Sequence, residues 1–119
     1  MKESPLAILI SGAKIRDGEY SVISDLFEVG LKRFHLRKPD SNPMDVAKLL
    51  DRIPQIYHPR IMLHRFPELL KDYKLAGYHH FSGEKLIDCQ GLRSRSLHKL
   101  DELRDTEEPL DYCFFGPVY

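Results

Sequence analysis

Cysteine is scarce in this chain of 119 residues: Cys89 and Cys113 are the only two, and no Cys-x-x-Cys pair occurs. That argues against a disulfide framework and makes a reducing cytoplasm the expected compartment. Neither sign of charge is in surplus, with Lys+Arg 18 against Asp+Glu 18 for a formal net charge of zero. A protein that neutralises a phosphate backbone carries a basic excess, so nucleic acid is not the expected partner. The same balance speaks against a polybasic membrane anchor. Long apolar runs are missing as well: Leu6 to Ile10 is far too short for a membrane span or a signal segment. No G-x-G-x-x-G and no P-loop is present, so nothing commits the chain to a nucleotide.

What is there reads as one globular unit over residues 1–119, without low-complexity stretches, close repeats or a linker. The composition is 42% hydrophobic and 30% charged, enough for one real core. Short apolar runs alternate with segments of helical period. Leu6-Ala7-Ile8-Leu9-Ile10 predicts a buried strand, and Val22, Ile23, Leu26 and Phe27 share a helical face that Gly30 ends. Arg33 to Arg37 alternates strictly, as a strand does. Ser41-Asn42 offers a cap, Pro43 suits the first helical position, and Val46, Leu49, Leu50 and Ile53 follow at i, i+3, i+4 and i+7 until Pro54. Ile61-Met62-Leu63 predicts a third strand. A short helix striped by Phe66, Leu69, Leu70 and Tyr73 follows, then a fourth strand over Gly77 to Phe81. Ser82 to Gly91 is too polar for a confident element. A weak strand near Leu92 to Ser94, a helix with Leu97, Leu100 and Leu103, and a strand Tyr112 to Phe115 closed by Gly116-Pro117 complete the pattern. Strand-helix alternation of this kind means βαβ units, right-handed crossovers and a mostly parallel sheet. Two α/β architectures satisfy it: a small doubly wound sheet, which length alone favours, or about six strands of a barrel whose full form needs roughly 200 residues or more.

In either case ligands gather at the carboxyl ends of the strands. Four of the six histidines fall there: His35, His64, His79 and His98; His58 lies in a loop and His80 is the second of a tandem pair. Alternation puts His35 and Arg37 on one face of the second strand, opposite Phe34 and Leu36. In a barrel both point inward, and an anion at the mouth would satisfy the Arg37 guanidinium. Each residue alone has an ordinary structural use: a hydrogen-bonded half-buried imidazole, Arg37 paired with Asp40, Lys38 in solvent. Zinc is the rival use of several histidines, but no H-x-H or H-E-x-x-H spacing occurs and His79-His80 points to opposite faces, so no metal ligand is assigned. Cys89 and Cys113 lack a base beside them and read as packing residues.

Phe34-His35-Leu36-Arg37, Gly77-Tyr78-His79, Ser96-Leu97-His98-Lys99-Leu100-Asp101-Glu102 and Asp111-Tyr112-Cys113-Phe114-Phe115-Gly116-Pro117-Val118-Tyr119 occur in that order. Together they resemble motifs of the thiamine phosphate synthase superfamily over nearly the whole chain; the last two are quite specific. The resemblance implies a TIM (β/α)8 barrel of which this chain covers roughly strands 1–6. Strands seven and eight, which supply phosphate-binding amides, would then lie outside it, so a C-terminally incomplete barrel domain is the expectation.

The superfamily implies two chemistries. The synthase joins hydroxymethylpyrimidine diphosphate to thiazole phosphate with magnesium; the thiazole tautomerase aromatises a carboxythiazole phosphate by moving a proton, without metal. Here the synthase motif Gln-hydrophobic-Arg-Glu-Lys is replaced by His35-Leu36-Arg37-Lys38-Pro39 and its Asn-Asp by Leu63-His64. Its second magnesium aspartate has no clear counterpart in Phe81-Ser82-Gly83. Magnesium wants hard oxygen ligands, so the tautomerase-like reading is favoured, with no cofactor expected unless the synthase reading holds. The resemblance then makes His98 the acid/base and lets Ser96 orient it or the substrate. It has His35, Arg37 and Lys38 bind an anionic group, puts His64 and His79 in the wall, and gives Gly116 the close approach. The expected partner is a small thiazole phosphate, with no nucleic acid and no membrane, and a homo-oligomer is a further option. A non-catalytic phosphate binder is the remaining alternative.

Overall fold

Alternation along strand β2 (Arg33–Leu36) separates two unlike faces: Phe34 and Leu36 enter the apolar core while Arg33 and His35 face the other way. The structure, a computed structural model, describes residues 7–105 and 109–116. It contains β1 (Ile8–Ile10), α1 (Glu19–Glu28), β2, α2 (Pro43–Arg52), β3 (Ile61–His64), β4 (Gly77–His80), β5 (Leu92–Leu97), α3 (Leu100–Asp105) and β6 (Tyr112–Phe115). Two 3-10 segments, Gln55–Arg60 and Pro67–Lys71, flank β3. All five strand pairs are parallel. Strand order is β1-β2-β3-β4-β5-β6 without a reversal.

That order decides between the two expected architectures. A doubly wound sheet reverses its winding at a switch point; a barrel keeps adding strands in one direction. The sheet also curls. β2 and β6 are four strand intervals apart, roughly 19 Å in a flat sheet with strands about 4.8 Å apart, far more than two side chains can span. Yet the Tyr112 hydroxyl lies 2.7 Å from Nε2 of His35. The molecule is therefore a half-barrel, concave on the side of His35 and Tyr112.

The convex side carries the core. Ile23 and Phe27 of α1, and Val46, Leu49 and Leu50 of α2 with Ile53 just beyond it, pack on Phe34, Leu36, Ile61, Leu63 and Tyr78 of the strands. α2 forms as its sequence dictates: Oδ1 of Asn42 accepts the Asp45 N–H at 2.9 Å and Pro43 opens the first turn. His58 closes its far end, its Nε2 within 3.0 Å of the Leu50 and Ile53 carbonyls.

Several sequence expectations need adjusting. Val22 is exposed, so α1 is held by Ile23 and Phe27. β1 is not buried: Leu9 is 40% and Ile10 47% exposed, because β2 alone flanks this strand among the described residues. Leu6, the Leu103 side chain and Pro117 to Tyr119 lie outside the described residues. The stripe from Phe66 to Tyr73 makes only a five-residue 3-10 turn, preceded by left-handed Arg65 and Phe66 (φ 64° and 52°). β5 runs beyond Ser94 to Leu97, so Leu97 packs from a strand rather than a helix. Among the described residues no helix is long and apolar enough to cross a membrane.

β4 approaches β5 so closely that a Cβ on Gly77 would overlap the Leu92 backbone. Gly77→Ala should cost about 3 kcal/mol or more by forcing those strands apart. Gly12→Ala, whose Cβ meets nothing within 4 Å, should cost little in the same urea titration. Equal midpoints for the two variants would refute the close approach.

Candidate functional site

On the concave face the register sets three imidazoles side by side. His35 comes from β2, His64 from the end of β3 and His79 from β4, with His64 directly paired to His79. Nδ1 of His35 lies 2.7 Å from Nε2 of His64, and the His64 and His79 rings stack with centroids 4.2 Å apart. His79 is held on both sides, Nδ1 2.6 Å from the Ser94 hydroxyl and Nε2 2.7 Å from the Ser96 hydroxyl. Tyr112 holds the other nitrogen of His35, and Phe114 packs against the rings of His35 and His79 at 4.8 and 4.9 Å. Ser94 and Ser96, like Tyr112 and Phe114, alternate along one strand, so all four meet the same face.

Burial decides the charge of these rings. Desolvation, helped by Arg33, pushes His35 down to about 4. Desolvation pushes His64 to about 2, with His79, His35 and Arg37 adding to it, and His79 to about 3, with His35, His80 and Arg95 adding. All three are neutral at pH 7, able to accept a proton, a hydrogen bond or a metal ion through one nitrogen each. Burial also raises the Tyr112 hydroxyl above its ordinary value. Arg33 shares this face, and its Nη1 is buried without a hydrogen-bond partner among the described residues.

The carboxyl ends of the strands form the mouth. Arg37 stands one residue past β2 and is exposed, so the burial that would demand an anion beside it does not exist. Its backbone is pinned to the end of β1, with Ser11 Oγ accepting the Arg37 N–H at 2.9 Å and donating to the Arg37 carbonyl. It forms no ion pair with Asp40 among the described residues. Lys38 corrects two expectations at once. It is only 2% exposed, neither solvated nor turned to a ligand. Nζ donates to the Gly12 and Lys14 carbonyls at 2.7 and 2.8 Å and pairs with Glu19 Oε2 at 2.6 Å. Its charge fixes the loop between β1 and α1.

His98 follows β5 and is exposed at the same end of the sheet as Arg37. Glu102 sets its backbone: Oε1 accepts the N–H groups of His98 and Lys99, and Oε2 accepts the Ser82 hydroxyl from beyond β4. The Ser82 bond leads in holding the Glu102 carboxyl below its usual range. Ser96 does not orient His98; its hydroxyl is engaged by His79. Gly116 adopts φ 151° as its N–H reaches the Leu97 carbonyl. His80 faces the convex side, bonded to the Ser94 carbonyl and the Ile87 N–H.

Tyr112, Phe114, Ser94 and Arg33 had no place among the residues expected from the sequence. Period-two spacing was the available signal for each; the weak apolar content of β5 masks it for Ser94, while for Arg33, Tyr112 and Phe114 the strands are legible and only the curvature that gathers them is not. A groove of about 1080 Å³ lies elsewhere, between the β1–α1 loop and α2. Lys14, Arg16, Lys48 and Arg52 are balanced there by Asp17, Asp40, Asp45 and Asp51, so it selects neither sign of ligand. The strand ends and concave face are the better candidate.

No family model and no curated protein matches the chain. Among solved structures, a thiamine phosphate pyrophosphorylase from Bacteroides thetaiotaomicron matches with a TM-score of 0.83 and 33% identity over 94% of this chain. The chain spans 58% of that protein's length. The likeness supports the thiamine phosphate synthase superfamily and a partial TIM-barrel fold.

Two outcomes follow from these contacts. Lys38→Ala strands Glu19 and two carbonyls and should lower unfolding stability by about 3–5 kcal/mol, read from urea denaturation. A loss below about 1 kcal/mol would show Lys38 to be a surface residue in effect. The rings' folded pKa values lie below those of the unfolded chain. Their contribution is therefore complete above about pH 6.5 and is lost as pH falls, down to about 4 for His35, about 3 for His79 and about 2 for His64, each ring adding up to about 1.4 kcal/mol per pH unit within its window. Denaturation midpoints should fall steeply from pH 7 to 5 and less steeply in His64→Gln. A flat wild-type profile would contradict the buried neutral cluster.

Proposed function

We propose that this chain serves thiamine biosynthesis as part of a (β/α) barrel enzyme that binds a phosphorylated thiazole at its strand ends and moves a proton through His98. The observation that carries the reading is His98 itself. It is exposed just past β5 on a backbone fixed by Glu102, at the same end of the sheet as the exposed Arg37. The neighbouring pyrophosphorylase and the motif order support the superfamily role. In the tautomerase-like reaction a proton leaves one ring carbon and one is returned elsewhere, so the formula is unchanged and no redox partner is needed. Arg37 would hold the carboxylate or phosphate through its planar fork, and His98 would take and return the proton. Gly116, lacking a side chain, would let the substrate approach the end of β6.

A second reading, the synthase, is favoured by the activity named for the neighbour. It calls for magnesium, and the residues present do not fit that ion. The exit of β3 is His64-Arg65-Phe66, with no carboxylate. Glu84 is the acid next after β4, and it is consumed: Oε1 accepts the Phe81 N–H and Oε2 the Tyr78 hydroxyl. Hard oxygen donors are therefore not assembled where the diphosphate would leave.

His98→Ala should lower kcat for carboxythiazole phosphate aromatisation, followed by ultraviolet absorbance, by about 100-fold or more. Affinity for the phosphate ligand should survive. Unchanged turnover would remove His98 from the reaction, and magnesium-dependent diphosphate release from the two thiamine precursors would establish the synthase reading instead.

A further inference from the structure

We propose that His35, His64 and His79 form a binding site for a borderline divalent transition cation, Zn²⁺ foremost, on the concave face of the sheet. Their ring nitrogens lie within 4.8 Å of one another and come from three adjacent strands. The β-ladder thus fixes the donors before any ion arrives. This site goes beyond the thiazole reading and does not depend on it.

Donor chemistry selects the ion. Imidazole suits zinc, copper and nickel and is a poor ligand for magnesium or calcium. Zinc sits about 2.0–2.1 Å from imidazole nitrogen, which sets neighbouring donors somewhat more than 3 Å apart. His35 Nδ1 and His64 Nε2, now 2.7 Å apart in a hydrogen bond, need to separate by only a fraction of an ångström. That bond uses the same two nitrogens that would ligate. Their replacement partners are in place: His35 can carry its proton on Nε2, donating to the Tyr112 hydroxyl. His79 can keep one serine hydroxyl and release the other nitrogen. His64 can carry its proton on Nδ1. Each ring then stays neutral overall, so the ion enters by a shift of tautomers and no proton leaves the protein.

The surroundings fit a zinc centre in two further respects. Orienting partners on ligating imidazoles are the usual companions of such sites, and Tyr112, Ser94 and Ser96 supply them for two of the three rings. His64 is only half-buried, toward the mouth. Three protein donors with a fourth position open to water is the arrangement of catalytic rather than structural zinc.

The test is a calorimetric titration of chelator-treated full chain with Zn²⁺ alone, paired with Co²⁺ and visible spectroscopy. Wild-type protein should bind one equivalent of Zn²⁺. His64→Ala, at the accessible edge of the cluster, should weaken that binding by about 100-fold, while His98→Gln binds as wild type. Should His64→Ala not fold, wild-type protein with Co²⁺ decides. A tetrahedral-type visible spectrum without a thiolate charge-transfer band supports the three imidazoles. No stoichiometric binding, binding untouched in a folded His64→Ala, or a thiolate band from Cys89 or Cys113 each overturns it.

Discussion

A hydrogen bond between β2 and β6 can exist only if the sheet between them is strongly curved. The Tyr112 hydroxyl on His35 is that bond, and the rest of the site depends on the curvature it reports. Bending six parallel strands toward one side crowds the side chains of that face together. A full barrel of this kind fills its interior with branched apolar residues. Here the concave face carries His35, His64, His79, Ser94, Ser96 and Tyr112 beside the apolar Phe114, and curvature brings each polar group within reach of another's donor or acceptor. Buried polar groups are tolerable on such terms, because an unsatisfied one costs a sizeable part of a small domain's stability. On this face, among the described residues, Arg33 Nη1 is buried without a partner.

The mouth is stiffened by a different device. Lys38 leaves the end of β2 and turns back under the β1–α1 loop, where two carbonyls and Glu19 neutralise its charge. Ser11 ties the ends of β1 and β2 by a reciprocal pair of bonds with the Arg37 backbone. Across the sheet, Glu102 links the exits of β4 and β5 through Ser82, His98 and Lys99. Exposed groups such as Arg37 and His98 therefore stand on loops whose backbones are already fixed. That lowers the ordering cost of placing them against a ligand.

How much of this was legible beforehand varies with the physics of each element. α2 was readable nearly to the residue, since Asn42, Pro43 and the Val46–Ile53 spacing act locally. β2 was readable too, because strict alternation leaves one register for a strand with one apolar face. β5 was underrated: Ser94-Arg95-Ser96 has no hydrophobic signal. Its serines meet His79 and Arg95 donates to the Phe81 and Glu84 carbonyls, contacts that exist only after folding. The same holds for the histidine cluster. Spacing rules detect ligands that share one helix or one loop, whereas His35, His64 and His79 lie far apart in the chain and adjacent only in the sheet. Lys38 misled for another reason, since a lysine next to an exposed arginine looks solvated until three acceptors converge on it.

The residue type at the end of β3 sets what the concave face can offer a ligand. A carboxylate there would be a fixed negative charge, suited to a hard divalent ion. His64 is neutral, shares a hydrogen bond with His35 and stacks on His79. Its nitrogens are soft enough for zinc and its ring flat enough to face a heterocycle. Arg37 at the mouth and Arg33 at the start of β2 set positive charge on either side of the neutral imidazole layer. A small planar anion would meet charge at its edge and aromatic nitrogen at its face. The face of the sheet therefore offers neutral ring nitrogens, and its rim an exposed guanidinium with the planar fork that suits an anion.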